Sequence, residues 1–492
     1  MASYDYDLIV IGGGAAGLTA SGIAANLGAK TLMIERHRLG GDCTWTGCVP
    51  SKTLLKAAKV AHEMRTASKY GLVDVEPTVD LKKVMAHVHQ IREDVYDEAD
   101  APEIYEDMGI TVRHGAARFT DEHTITIEGG EGPSTVTGRL FVIAAGASGW
   151  VPPVPGLDPG DGSGVPYVTN DTLFEMERLP EHLAIVGGGP IGTEMSQAFR
   201  WLGSRVTVID GTNHILQNDD PDLAAMLQSY LEEQGVEYAF GANADRVSLE
   251  GSTIRIEAGE RVIEADALLM ATGRRANLDG LGLDEAGVEY TPRGITVDDH
   301  CKTNQSHIYA VGDVTGRYQF THMSEHMAKV AATNAVLKLP SKIDTKHVPW
   351  VTYTEPELAH VGATQKHLDE AGTNYDVYRF PYDRVDRAIT DGETVGMIKV
   401  FAKSLTGTIL GATVLGARAG ELICEYAVAM KGGVSLREIA DTIHPYPTYG
   451  LGARRAADQW YARKQSKTVT RFVQTLFGYR GEVQDVDPDR IV

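Results

Sequence analysis

Cysteine is scarce in this 492-residue chain, with only four, at positions 43, 48, 301 and 424. So few in such a length excludes the disulfide framework of a small secreted domain. Positive charge is also in deficit. Lys and Arg number 46 against 67 Asp and Glu, giving a formal net charge of −21. Such a field favours solubility and repels nucleic acid and acidic surfaces in general. No stretch approaches the ~18 apolar residues of a spanning helix. The first apolar run, residues 8–11, is too short for a signal segment, and Asp5 and Asp7 precede it rather than Lys or Arg. The expectation is a cytoplasmic protein with no nucleic-acid partner. A length of 492 suggests three or four domains at about 100–200 residues each.

What is present is a repeated unit. Asp7-Leu-Ile-Val-Ile-Gly-Gly-Gly-Ala-Ala-Gly17 and Leu183-Ala-Ile-Val-Gly-Gly-Gly-Pro-Ile-Gly192 each read as a strand, then G-x-G-x-x-G, then a helix. The glycines are Gly12, Gly14 and Gly17 in the first copy, and Gly187, Gly189 and Gly192 in the second. Each copy continues into a second strand that ends in an acid, Glu35 and Asp210, at equal distances from the first glycine (35 − 12 = 23; 210 − 187 = 23). The first glycine makes the strand-to-helix turn, the second lets a pyrophosphate approach, and the third lets helix and strand pack. The helix N-terminus offers N–H groups to the phosphates, and the acid can take the ribose hydroxyls. Two such units predict two dinucleotide sites. Asp210 would repel a 2′-phosphate, so the second unit is expected to take NAD(H) in preference to NADP(H).

Cys43 and Cys48 form a close pair in an otherwise cysteine-poor chain, which points to redox chemistry or a metal. Structural zinc needs four ligands and the usual partner cysteines are missing, so no metal site is expected. Residues 52–61 read as a helix after Pro50, and a helix start favours thiolate over thiol.

The stretch Leu39-Gly-Gly-Asp-Cys43-Thr-Trp-Thr-Gly-Cys48-Val-Pro-Ser-Lys52 resembles the active-site helix of the class I pyridine nucleotide-disulfide oxidoreductases. That family includes glutathione reductase, dihydrolipoamide dehydrogenase and mercuric reductase. The likeness extends along nearly the whole chain. Residues 113–119, around Gly115, are similar to the segment touching the FAD adenine. Residues 142–146, with Ala145 and Gly146, and 270–273, with Gly273, resemble the strand ends that seal the two cofactor sites. Residues 308–313, with Gly312 and Asp313, resemble the second FAD motif, and 348–362 the opening of the dimerisation domain.

The resemblance implies FAD held by Gly12, Gly14, Gly17, Glu35, Lys52, Gly115, Ala145, Gly146, Gly312 and Asp313. It implies a nicotinamide dinucleotide on Gly187, Gly189, Gly192, Glu194, Asp210 and Gly273. It also implies that Cys48 faces the flavin as a charge-transfer thiolate and Cys43 meets the substrate. Lys52 would lie near the flavin with Glu194 as its acidic partner, and the protein would be a homodimer whose C-terminal segment completes the partner's site.

The chain departs from the family near its end. Thiol-disulfide reductases of this kind carry a His-Pro-Thr segment with a Glu five residues after the His. Here the segment is Ile443-His-Pro-Tyr-Pro-Thr-Tyr-Gly-Leu451. Aligned on Pro-Thr, Tyr446 takes the base position and Leu451 that of the Glu; aligned on His-Pro, His444 is the base and Tyr449 replaces the Glu. A tyrosine base is similar to mercuric reductase, but no cysteine follows Cys424, so the C-terminal metal-delivery pair is missing. Trp45, between the cysteines, replaces a smaller residue of the relatives and either narrows access to Cys43 or packs in the core. Beyond the family core, Val469, Phe472, Val473, Leu476 and Phe477 fall on one helical stripe among basic residues. That stripe in 466–480 suits packing on the dimer or a weak peripheral membrane contact.

The expected fold is α/β. Two Rossmann-like dinucleotide-binding domains, for FAD and NAD, precede a C-terminal α+β dimerisation domain. The boundaries are 1–155 (FAD, first part), 156–278 (NAD(P)), 279–345 (FAD/central, second part), 346–465 (dimerisation) and 466–492 (extension). The expected activity passes electrons from NAD(P)H through FAD and the Cys43–Cys48 pair to a small-molecule acceptor, in the manner of mercuric reductase. Dihydrolipoamide dehydrogenase, an NADH oxidase or quinone reductase that bypasses the cysteines, and an FAD-binding redox sensor are the alternatives.

Overall fold

A computed structural model describes residues 4–130, 132–465 and 467–483. The chain divides into two compact units. One comprises Met1–His62, Glu76–Ile209 and Ala242–Asp344; the other comprises Glu63–Val75, Asp210–Gly241 and Thr345–Val492.

The first unit is built on a seven-stranded sheet. Strand Tyr6–Ile11 lies between Thr31–Glu35 and Ser134–Ile143, parallel to both, with Thr111–His114 beyond Thr31–Glu35. Strand Ile308–Ala310 returns from far along the chain to pair in parallel with Ser134–Ile143. The run Leu8–Ile11 is apolar without alternation because both faces of this sheet are covered. Leu8 and Val10 pack on one side with Ala16, Ala20 and Ala24 of helix α1 (Ala15–Asn26), together with Met327 and Ala331. Ile9 and Ile11 pack on the other side with Phe119, Ile125 and Leu283.

Three further helices follow Glu35: α2 (Gly41–Trp45), α3 (Cys48–Arg65) and α4 (Leu81–Val95). The Asp80 side chain caps α4 by accepting from Lys83 N. A short α5 (Pro102–Asp107) leads into Thr111–His114. The second glycine loop repeats the design. Strand His182–Val186 is parallel to Arg205–Asp210 and to Ala267–Met270, and α6 (Pro190–Leu202) starts at the loop with Pro190 at its first turn, where a missing N–H costs nothing.

The second unit holds α7 (Pro221–Glu233) and a five-stranded antiparallel sheet. Its order is Pro349–Thr352, Glu357–Gly362, Ile409–Gly416, Met397–Ala402, Asp376–Pro381. In the first unit, α8 (Thr321–Leu337) lies against α1. Short helices α9 (Gln365–Glu370) and α10 (Asp386–Asp391) decorate the antiparallel sheet. Behind it lie α11 (Ala419–Gly432), α12 (Leu436–Asp441) and α13 (Gly450–Lys464), their core formed by residues such as Tyr378, Tyr382, Tyr426 and Val414. Lys399 of this sheet is fully buried, its ammonium 2.7 Å from Asp220 and 2.8 Å from Asp222 at the start of α7.

The tail forms α14 (Lys467–Phe477), as the stripe of apolar residues predicts, and buries none of its side chains. Val469, Phe472, Leu476 and Phe477 are 50%, 66%, 61% and 62% exposed, and Val473 is half-buried. No helix among the described residues is long and apolar enough to cross a membrane.

Candidate active site

The glycines of each loop have different tasks, and the space around them tells the tasks apart. A Cβ on Gly12 would stand 2.3 Å from Ala144 O, and one on Gly187 2.3 Å from Ala271 O; both residues also have positive φ. A Cβ on Gly17 or Gly192 would collide with the carbonyl oxygen of Gly12 or Gly187, at 1.8 and 1.9 Å. These four are glycine because the chain packs against itself. The middle glycines differ. A Cβ on Gly189 meets nothing within 4 Å, and one on Gly14 meets only Gly41 Cα at 3.6 Å. Their φ values, −74° and −82°, suit any residue. Folding does not require glycine there, whereas a pyrophosphate laid across the loop onto the N-terminus of α6 or α1 does. Both loops therefore fit a dinucleotide on this structure's own geometry.

The remaining FAD candidates converge on the first loop. Glu35 ends its strand with Oε2 accepting from Gly13 N and Oε1 from His37 N, both at 2.7 Å. Gly115, at φ +153°, donates its N–H to Glu35 O at 2.8 Å. Ala145 O accepts from Asn277 Nδ2 at 2.9 Å, and Gly146 O from Asn277 N at 3.0 Å. Gly312 and Asp313 open a 3₁₀ turn just before α8. Burial raises the Asp313 carboxyl, and the nearby Arg274 guanidinium lowers it in part. Gly273 lies where strand Ala267–Met270 gives out, at φ +123°, with open space at its Cα. Asp210 closes strand Arg205–Asp210 and accepts from Thr212 N and Oγ1 at 2.8 and 2.6 Å.

The cysteines stand on adjoining helices, Cys43 on the short α2 and Cys48 as the first residue of the long α3. Both are free thiols, Cys43 half-buried and Cys48 exposed. Their acidities split. The Cys43 thiol donates to the Cys48 sulfur, and this lowers Cys48 to about 6, helped by a hydrogen bond from Thr321 and by the Lys52 charge. Cys43 moves the other way, held protonated by that same bond and by burial. The start of an 18-residue helix adds partial positive charge beside Cys48. Lys52 lies one turn along α3, and its ammonium is 3.0 Å from Glu194 Oε2 on α6, a carboxylate only 7% exposed. The pairing that the resemblance implies is thus present, and it ties α3 to α6.

Three neighbours escape a reading of the sequence. Thr321 Oγ1 lies 3.5 Å from Cys48 Sγ, across 273 positions and without any local signature. Arg274 bridges two carboxylates, with Nη2 3.0 Å from Asp42 and Nε 3.5 Å from Asp313. Arg274 directly follows Gly273, and Asp42 directly precedes Cys43, so both were adjacent to recognised motifs.

In the second unit the segment after α12 brings His444 beside a carboxylate. Neither alignment offers His444 an acid, yet His444 Nε2 lies 3.0 Å from Glu425 Oε1 on α11, and its Nδ1 2.9 Å from Thr442 O. The acid comes from 19 residues upstream rather than five downstream. Tyr446 stands open, 70% exposed, while Tyr449 donates to Asp391 at 2.9 Å and Leu451 is buried. His444 rather than Tyr446 therefore has the paired carboxylate that a general base uses for orientation. No cluster of metal-ligating side chains occurs among the described residues.

Comparison with known proteins shows the family of the chain. Residues 6–328 match the family described as pyridine nucleotide-disulphide oxidoreductase, and residues 348–456 match its dimerisation domain. A mercuric reductase of Bacillus cereus is 36% identical over 459 residues, covering 92% of this chain and 71% of that protein. A dihydrolipoyl dehydrogenase of Haloferax volcanii is 34% identical over 466 residues, covering 92% of this chain and 95% of the other. Among solved structures, LpdA from Mycobacterium tuberculosis superposes with a TM-score of 0.85 at 28% identity, over 92% of this chain and 99% of that one. The Cu(II) complex of the HOCl-induced flavoprotein disulfide reductase RclA from Escherichia coli superposes with a TM-score of 0.83 at 27% identity, over 93% and 99%.

Proposed function

The chain belongs to the pyridine nucleotide-disulphide oxidoreductases, FAD-dependent enzymes that work with NAD(P)H, and from that premise we propose that it reduces a small acceptor through a Cys43–Cys48 dithiol. The observation that carries the proposal is the placement of Cys43 on α2 and Cys48 at the first residue of α3, with the Lys52–Glu194 pair one turn along. Reducing a disulfide by one hydride equivalent breaks the S–S bond and adds two electrons and one proton. The product is one thiol and one thiolate. The raised pKa of Cys43 and the lowered pKa of Cys48 support a reading with the proton on Cys43 and the negative charge on Cys48.

Bound FAD supplies the two-electron relay between nicotinamide and disulfide. The first glycine loop and Glu35 would hold it and the second loop the nicotinamide dinucleotide, Lys52 and Glu194 set the charge beside Cys48, and Cys43 presents the outer thiol to the acceptor. NADH is read as the donor, because Asp210 carries negative charge where a 2′-phosphate would sit. His444, oriented by Glu425, serves as the proton-transfer group for the departing acceptor, with exposed Tyr446 beside it in sequence. Return of the dithiol to the disulfide delivers two electrons to the acceptor and releases the Cys43 proton.

The acceptor is a small disulfide, a metal ion such as Hg(II) or Cu(II), or a quinone, and a panel of these under anaerobic NADH separates them. Thiol counting by alkylation after anaerobic NADH is expected to find two more reactive sulfurs than before. Undiminished turnover in Cys43→Ala overturns the dithiol route and leaves a direct oxidase or quinone reductase. The tail helix α14 is read as packing on a second copy, because it continues from the segment matched to the dimerisation domain.

A further inference from the structure

We infer that Trp45 is a positioning residue for the Cys43–Cys48 pair, held by a clamp of Arg38, Tyr96 and Arg92 that keeps the two sulfurs together whenever they are not bonded. The inference rests on the dithiol reading above and adds to it a device that controls closure.

Only four residues, 44 to 47, separate the cysteines. In a free dithiol so short a loop still has many conformations, most with the sulfurs apart. This chain ties three of the four. Thr44 donates to Asp100 Oδ2 at 2.6 Å, with both residues buried. Thr46 donates to Asp42 Oδ1 at 2.5 Å. Between them Trp45 is held at both ends. Its indole N–H donates to Leu39 O at 2.7 Å, and its own carbonyl accepts from Arg92 Nη1 at 2.7 Å.

The faces of the indole are covered as well. The Arg38 guanidinium carbon lies 3.7 Å from the Trp45 ring centroid and 4.6 Å from that of Tyr96, and the Trp45 and Tyr96 rings are 5.2 Å apart. Arg38 is itself fixed by a two-pronged bond to Glu93, at 3.0 and 2.8 Å. Arg92 donates to Glu175 at 3.1 Å. The clamp is anchored to the first cofactor loop, because Gly40, next to Leu39, donates its N–H to Gly13 O at 2.9 Å.

These contacts hold the half-buried indole among ring, guanidinium and backbone. They make the loop between the sulfurs nearly a fixed part of α4 and of the glycine loop. The consequence is an effective concentration. When Cys43 carries an acceptor as a mixed disulfide, Cys48 must attack it for the cycle to finish. In that step a new Cys43–Cys48 bond forms, the Cys43–acceptor bond breaks, and the acceptor leaves as a thiolate. The clamp holds the closed arrangement ready, and its loss frees the loop to wander.

The test equilibrates the full-length holoprotein in glutathione redox buffers, quenches with an alkylating reagent, and reads the Cys43–Cys48 peptides by mass. The quantity is the ratio of closed disulfide to glutathione adduct. In Trp45→Ala the ratio is expected to fall about tenfold as the tether loosens. Arg38→Gln, an exposed position whose loss spares the fold, is expected to lower it about threefold, the scale of an exposed cation–π contact. Trp45→Phe, which keeps a ring but loses the N–H, is expected to fall between wild type and Trp45→Ala. Ratios within experimental error of wild type in Trp45→Ala and Arg38→Gln overturn the inference; if Trp45→Ala fails to fold, Arg38→Gln alone decides. A wild type that forms no Cys43–Cys48 disulfide in any buffer, or that turns over equally well without Cys43, removes the dithiol reading itself, a distinguishable failure.

Discussion

Lys52 and Glu194, 142 positions apart, meet at 3.0 Å and fasten the helix that starts at Cys48 to the helix that starts at the second glycine loop. The ammonium also makes the Cys48 thiol more acidic by its charge. Lys52→Met is expected to raise the pH at which Cys48 ionises and to slow turnover at neutral pH. Titration of the thiolate's ultraviolet absorbance in the reduced protein checks it, and an unmoved midpoint rules out the electrostatic role.

The same titration addresses the sulfur pair. Cys48 is lowered to about 6, with the Cys43 hydrogen bond the largest cause. A lowered acid is charged above its midpoint, so the thiolate is present at neutral pH and is lost as the pH falls through about 6. Dithiol-dependent turnover should fall over the same acid range. In Cys43→Ala the midpoint should rise, because the donor is gone. Turnover with a disulfide acceptor should drop more than about a thousandfold, as when one member of a catalytic unit is removed.

The glycine loops make a prediction in which stability and binding part company. Gly189→Ala places a methyl in open space at an ordinary φ, so the fold should be unaffected. The KM for NADH should rise about tenfold or more, each tenfold being about 1.4 kcal/mol. Gly14→Ala should likewise lower flavin content while leaving the apoprotein folded. Gly192→Ala meets Gly187 O at 1.9 Å and should instead lower the melting temperature. Equal destabilisation by all three would refute the division of labour.

Lys399 is buried to 0% exposure against Asp220, itself 2% exposed. Removing one partner of such a pair strands the other charge, at a cost of about 3–5 kcal/mol. Lys399→Met should shift the urea midpoint accordingly, and Asp222→Asn, at a carboxylate 66% exposed, should shift it far less.

The apolar stripe of α14 should matter to assembly. Phe472→Asp with Leu476→Asp is expected to raise the dimer dissociation constant about a hundredfold or more, each buried large side chain contributing about 1.5–3 kcal/mol. Analytical ultracentrifugation measures it. Unchanged dissociation together with binding of the intact protein to anionic vesicles would assign the stripe to a bilayer instead.

What the residues determined unaided is what repeats or lies close together along the chain. The two glycine loops, the acids Glu35 and Asp210, the Cys43–Cys48 pair with Lys52 behind it, and the stripe of α14 are local patterns. Their spacing is set by strand and helix geometry, and so they could be read in a line. Tertiary structure alone decided which distant groups meet them. Thr321 reaches Cys48, Arg274 joins Asp42 to Asp313, Glu425 finds His444, and Arg38, Arg92 and Tyr96 close around Trp45. Such contacts are selected by how whole helices and sheets bury their apolar faces, and that packing leaves no fixed spacing in the sequence from which to recognise the partners.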